Sequence, residues 1–141
     1  MIRPAVDTDI PFIYSTWSDS FRYDCYQGNK CKNEFFYKDY IQVMDTILKA
    51  PETKIIVESF DEDPFIILGY LVYDSKIAYY CFVKHAFRHK NIAKNLFNHA
   101  FKDSKEVYYT FKTREVEGLL KLKQDRLVHR PYLLYKGVSN G

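Results

Sequence analysis

The stretch Ile77-Ala78-Tyr79-Tyr80-Cys81-Phe82-Val83-Lys84-His85-Ala86-Phe87-Arg88-His89-Lys90-Asn91-Ile92-Ala93, continuing to Phe101, decides the fold. From Ile77 to Val83 it is apolar at almost every position rather than at alternate ones, the pattern of a strand covered on both faces. A basic loop follows with Lys84, His85, Arg88, His89 and Lys90. Ile92, Ala93, Leu96, Phe97, Ala100 and Phe101 then recur at helical spacing. A buried strand therefore runs through a cationic turn into an amphipathic helix that starts near Asn91. The first turn of a helix carries unsatisfied N–H groups and the positive end of the dipole. With Arg88, His89 and Lys90 beside it, this turn suits an anion, and pyrophosphate best of all. A solvated basic loop is the plainer reading of the same residues; the strand–loop–helix context favours phosphate.

The rest of the chain reads as alternating elements on either side of this segment. Ile2 to Ala5 is a short strand. Thr8 or Asp9 caps a helix with Pro11 in its first turn and Ile10, Ile13, Tyr14, Trp17 and Phe21 on one face. Arg22 to Asn33 is a polar loop with a turn at Gly28-Asn29. Phe36, Tyr40, Val43, Met44, Ile47 and Leu48 form a second helical stripe, stopped before Pro51. Lys54 to Ser59 and Phe65 to Tyr73 are strands, and Asp74-Ser75 makes a tight hairpin into Ile77. A strand at Val107 to Phe111, a helix at Glu115 to Lys123 and a last strand around Tyr132 to Lys136 complete the order β-α-α-β-β-β-α-β-α-β. This order predicts an α/β fold, a mixed sheet with helices on both faces.

Composition bounds the function. A chain of 141 residues makes one domain, 1–141, and 47% hydrophobic content excludes disorder as its main state. No apolar run approaches the roughly 20 residues that span a bilayer, and the start lacks the apolar core of a signal peptide, so a cytoplasmic protein is expected. Lys and Arg exceed Asp and Glu by only 3. That excess is small for a nucleic-acid binder. Cys25, Cys31 and Cys81 are odd in number and read as free thiols; the spacing of Cys25 and Cys31 is not a zinc-knuckle pattern, so no metal is expected. Cys81, inside an apolar run, reads as a small buried hydrophobe.

Val83 through Ala93 resembles the acyl-CoA signature of the GNAT acetyltransferase superfamily: a strand-terminal Val, four residues, then Arg/Gln-x-x-Gly-x-Gly/Ala opening a helix. The order of elements over nearly the whole chain is similar too, as is the opening Ile2-Arg3-Pro4-Ala5 with Asp9-Ile10-Pro11. The stretch from Tyr14 to Arg22 resembles that of small bacteriophage members, for which the host bacterial cytoplasm would be the location. The resemblance implies that acetyl-CoA lies where the Ile77–Val83 strand splays from the Val107 strand. Backbone groups of Cys81, Phe82 and Val83 would pair with its pantetheine arm, and Arg88, His89, Lys90, Asn91, Ile92 and Ala93 would hold its pyrophosphate. A primary amine of a small molecule or protein would attack the thioester directly, with a backbone N–H near Phe82 or Val83 stabilising the oxyanion.

This sequence departs from the pattern at defined places. Asn91 replaces a glycine, and asparagine tolerates left-handed backbone better than most residues. Lys121 or Lys123 stands where the family commonly has a Tyr acid, and no Glu precedes Val83. Tyr80, Glu58 and Tyr132 are therefore the expected catalytic residues. Each has a plainer reading as well: core or pocket wall for Tyr80, a solvent-facing carboxylate for Glu58, ordinary packing for Tyr132. His85 either transfers a proton or helps a phosphate. Tyr23, Asp24, Tyr26 and Lys30 lie on the loop that would border the acceptor, where Tyr and Asp suit a cationic amine; a flexible exposed loop is the equal alternative reading. Two rival readings follow: a GNAT-fold binding or regulatory module without chemistry, and a nucleic-acid-binding module that stacks bases on its Tyr residues.

Overall fold

The protein is described from a computed structural model covering residues 1–24, 32–121 and 126–134. The expectations for Cys25, Tyr26, Gly28-Asn29, Lys30, Cys31, Lys123 and Tyr135-Lys136, and for the Asp24 side chain, lie outside the described residues. Strand β1 is Ile2–Pro4, and helix α1 (Ile10–Asp24) follows a single 3-10 turn. Helix α2 runs through Asn33–Phe35, a π-helical turn at Phe36–Tyr40, and Ile41–Lys49. It stops where Ala50, forced extended by Pro51, takes ψ 131°. Then come β2 (Lys54–Ser59), β3 (Ile67–Asp74), β4 (Ile77–Val83), α3 (Ile92–Ala100), β5 (Val107–Tyr109), α4 (Arg114–Lys121) and β6 (Leu127–His129).

The six strands form one sheet in the order β1-β2-β3-β4-β5-β6. β1 to β4 are antiparallel, while β5 and β6 run parallel to β4 with α3 and α4 as their crossovers. The mixed sheet, the helices on both faces and the order of elements agree with the expectation from sequence. The last strand is corrected: β6 ends at His129, and Pro131–Leu134 is a 3-10 turn, consistent with a proline that cannot donate to a ladder. β3 also starts later than its apolar pattern suggested, leaving Phe65 76% exposed.

Two cores explain why β3 and β4 are apolar throughout. On one face Ile13, Trp17, Phe21, Phe36, Tyr40, Met44 and Ile47 of α1 and α2 pack on Val57, Tyr70, Val72 and Tyr80. On the other, Ile92, Leu96, Phe97, Val116 and Leu119 of α3 and α4 cover Ile56, Leu71, Cys81 and Val83. Gly69 lets the second layer come close. A Cβ there would stand 2.7 Å from the Phe82 carbonyl oxygen and 3.1 Å from the Ile92 side chain. The first turn of α3 is thereby seated directly against the end of β4.

The start of α1 is fixed by charge. Arg3 donates to both Asp9 carboxylate oxygens, at 2.7 and 3.1 Å, and to the Pro64 carbonyl at 2.8 Å; Asp9 also accepts the Val6 N–H at 2.8 Å. These bonds tie β1, α1 and the β2–β3 turn together around a buried carboxylate. Hydrogen bonds from Arg3 hold the Asp9 carboxyl below its ordinary pKa, outweighing its desolvation. The stabilisation is therefore complete at neutral pH and is lost as pH falls below about 4, the ordinary range of an aspartate. Asp9→Asn is expected to cost about 2 kcal/mol in urea unfolding at pH 7 and to flatten the stability profile below pH 5.

Candidate functional site

The pairing of β4 with β5 is short. Ile77 faces Tyr108 and Ala78 faces Tyr109, and the Thr110 N–H reaches the Ala78 carbonyl at 3.3 Å. The Thr110 hydroxyl then donates to the Tyr79 carbonyl at 3.0 Å, and among the described residues no strand pairs with that side of β4 from Tyr79 to Val83. A β-bulge marks the change: Val72 pairs with Tyr80 but Tyr73 pairs with Ala78, leaving Tyr79 as the extra residue. Beyond the bulge the backbone alternates between its two neighbours. The Lys84 N–H donates to the Leu68 carbonyl of the β3 side at 2.8 Å, so Phe82 also turns its backbone groups to β3. Cys81 and Val83 turn theirs into the opening.

The opening leads into a cavity of about 430 Å³ lined by Val83, the loop residues Phe87, Arg88, His89 and Asn91, Ile92 and Ala93 of α3, and Arg114, Glu115, Glu117, Gly118, Leu119 and Lys121 of α4. The loop is shaped by two left-handed residues on either side of Lys90: His89 at φ 65° and Asn91 at φ 64°, ψ 17°. Left-handed residues of this kind recur in the backbone nests whose N–H groups bind anions. Asn91 takes the conformation that its substitution for glycine requires. It gives α3 no side-chain cap, and the first backbone bond of the helix is Asn95 N–H to the Asn91 carbonyl at 2.9 Å. The N–H groups of Ile92, Ala93 and Lys94 thus precede the helical ladder at the cavity mouth.

Cationic side chains reinforce this end. Arg88 Nη1 is 3.0 Å from His85 Nδ1, and the Arg88 Nε is buried without a partner among the described residues. Phe87 packs edge-on against Phe60, ring centroids 5.5 Å apart, and the Lys90 ammonium lies 5.8 Å from the Phe87 ring. A buried guanidinium nitrogen with no acceptor, beside uncapped amides, is a donor set that fits a diphosphate.

Glu115 is the residue that sequence reasoning missed. From the first turn of α4 its Oε1 accepts the Val83 N–H at 3.1 Å, across the opening. Burial pushes its carboxyl pKa up; the Glu115 and Val83 N–H groups and the nearby Arg88 and Arg114 charges oppose the rise without cancelling it. A Glu in the first turn of a helix is an ordinary sequence feature, and nothing local points from it to a strand 32 residues earlier.

The expected cosubstrate-binding residues and the expected catalytic residues fare differently. Val83, Arg88, His89, Asn91, Ile92 and Ala93 converge on one cavity, with Lys90 in the same loop. Cys81 is buried beneath α3, its thiol pKa pushed well up by desolvation, and Phe82 packs toward the opposite core. Tyr80, Glu58 and Tyr132 do not meet. Tyr80 is buried in the α1–α2 core, stacked on Trp17 with centroids 5.0 Å apart and hydrogen-bonded to the Ser20 hydroxyl. Glu58, separated from β4 by β3, has its Oε2 3.0 Å from the Met1 amino group. Tyr132 sits in the turn after β6 and is 73% exposed. Among the described residues no helix is long and apolar enough to cross a membrane.

No protein-family model and no curated protein sequence matches this chain. Its fold has solved counterparts. YjaB from Escherichia coli, in its apo form, superposes with a TM-score of 0.61 at 14% identity, covering 88% of this chain and 78% of the other. An acetyltransferase from Vibrio fischeri gives 0.51 at 17% identity, covering 77% and 93%. A Desulfovibrio desulfuricans protein described as a candidate GNAT-family acetyltransferase gives 0.54 at 13% identity, covering 89% and 82%. The six-stranded mixed sheet with helices on both faces is thus the GNAT fold.

Proposed function

We propose that this protein is an acetyl-CoA-dependent N-acetyltransferase that moves an acetyl group to a primary amine of a small molecule or protein. One observation carries the reading: the end of β4, which pairs with no strand on its β5 side among the described residues, and the uncapped N-terminus of α3 meet in a single cavity lined by Arg88, whose Nε is buried without a partner among the described residues. Acetyl-CoA supplies the thioester. The Lys90–Ala93 amides and Arg88 bind its pyrophosphate, and the Cys81 and Val83 backbone groups orient the pantetheine arm as an added strand would. With the Val83 N–H taken up by Glu115 or the arm, the Cys81 N–H, which faces the same opening, stabilises the oxyanion; Phe82, turned toward β3, does not. The chain thereby lowers the barrier by positioning and by fixed dipoles.

For proton transfer, Glu115 and Glu117 both line the cavity and Glu115 also meets the strand edge at the Val83 N–H, while Tyr80 is committed to packing with Trp17 and Ser20. That same observation favours a second reading, a GNAT-fold module that binds the cosubstrate without turnover. Calorimetric titration with acetyl-CoA and thiol release over a panel of primary amines separate the two. Binding with amine-dependent thiol release is the expected result; saturable binding with no release from any amine favours the silent module, and absence of binding removes both.

A further inference from the structure

The best-placed donor on the open edge of β4 is already engaged. We propose that Glu115 sets the affinity of the site for an acyl-pantetheine cosubstrate by holding, on the Val83 N–H, the position that a pantetheine amide oxygen must take. The inference rests on the acetyl-CoA reading above.

The geometry is a competition for one donor. An arm that adds to β4 as a strand needs acceptors opposite the outward-facing N–H groups, and the Val83 N–H is the one nearest the cavity. Glu115 Oε1 occupies it at 3.1 Å. The side chain comes from α4, which lines the same cavity as the loop, and reaches the end of β4 there. It also places a carboxylate near Arg88, the cation that a pyrophosphate requires. Cosubstrate and Glu115 therefore compete twice, for an N–H and for a guanidinium. Burial raises the pKa of Glu115, so its ionised form is less comfortable here than in water. Swinging out restores hydration, which makes the carboxylate a displaceable occupant rather than a permanent one. Binding then proceeds by exchange: the Val83 N–H leaves Glu115 and is taken by the arm.

Calorimetry on the intact chain with two probes, coenzyme A and ADP, tests this, because ADP keeps a diphosphate and lacks the arm. Glu115→Ala frees the Val83 N–H and is expected to tighten coenzyme A roughly tenfold more than it tightens ADP, the scale of one charge-assisted hydrogen bond. Glu115→Asp, one methylene shorter and still charged, is expected to raise the same ratio and guards against a folding defect in the alanine variant. Glu115→Gln keeps an acceptor near Val83 and removes charge, so both probes should gain alike and the ratio should stay at its wild-type value. A purely electrostatic or structural role would move both probes together in all three variants, and a ratio unchanged in Glu115→Ala and Glu115→Asp overturns the proposal. Coenzyme A failing to bind wild type and every variant overturns the acetyl-CoA reading itself, an outcome distinct from an unchanged ratio.

Discussion

Arg88→Glu is expected to weaken coenzyme A binding by a hundredfold or more while leaving affinity for phosphate-free pantetheine nearly unchanged. Two effects add. The substitution removes a charge-assisted donor set worth about 2 kcal/mol, and it sets a carboxylate beside a diphosphate, where like charges near solvent cost roughly 1–2 kcal/mol more. The total, about 3–4 kcal/mol, corresponds to roughly 150- to 1,000-fold. The fold should tolerate the change. Arg88 is half-buried, its Nε has no partner among the described residues, and the hydrogen bond it loses is to the exposed His85. Side-by-side titrations with coenzyme A and pantetheine check the expectation. Equal coenzyme A affinity in wild type and variant would move the diphosphate away from this loop.

Trp17→Ala is expected to cost 3–5 kcal/mol of stability, the range for truncating a buried aromatic, and so to bring a domain of this size close to unfolding. Trp17 is completely buried and stacks on Tyr80, and its Nε1–H donates to the Tyr40 hydroxyl at 2.8 Å. Alanine leaves a large void and takes the donor from a hydroxyl at the centre of the Phe21–Phe36–Tyr40–Phe111 cluster. Trp17→Phe keeps a ring and loses the donor, so about 1–2 kcal/mol is expected. Urea unfolding followed by far-UV circular dichroism measures both, since Trp17 is the single tryptophan and its fluorescence is lost with it. A cost below about 1 kcal/mol for Trp17→Ala would mean that α1 does not seat on β4 through this ring.

The two predictions probe opposite faces of β4, and the difference between those faces explains the fate of the expected catalytic residues. Tyr80 is an expected catalytic residue because Tyr79 and Tyr80 stand in the strand before Val83, where the resembled family often keeps a carboxylate base. The bulge at Tyr79 puts Tyr79 and Tyr80 on the same side, among the aromatics of α1 and α2. A one-residue slip reverses the facing of every later side chain in a strand, and no local pattern announces it in a segment apolar throughout. Glu58 and Tyr132 fail to join Tyr80 for a plainer reason: the sheet order sets β2 beyond β3 and β6 beyond β5.

Features written within a few residues were legible beforehand. The apolar run Ile77–Val83 required cover on both faces; the basic residues at Arg88–Lys90 followed by helical spacing required a charged turn into a helix; asparagine at position 91 allowed the left-handed backbone found there. Each rests on burial, periodicity or single-residue sterics, which act at short range. The length over which β5 stays beside β4, the side on which Tyr80 falls, and the reach of Glu115 across 32 residues to Val83 belong to another class. They depend on where strands diverge and helices dock, and packing between distant segments sets both.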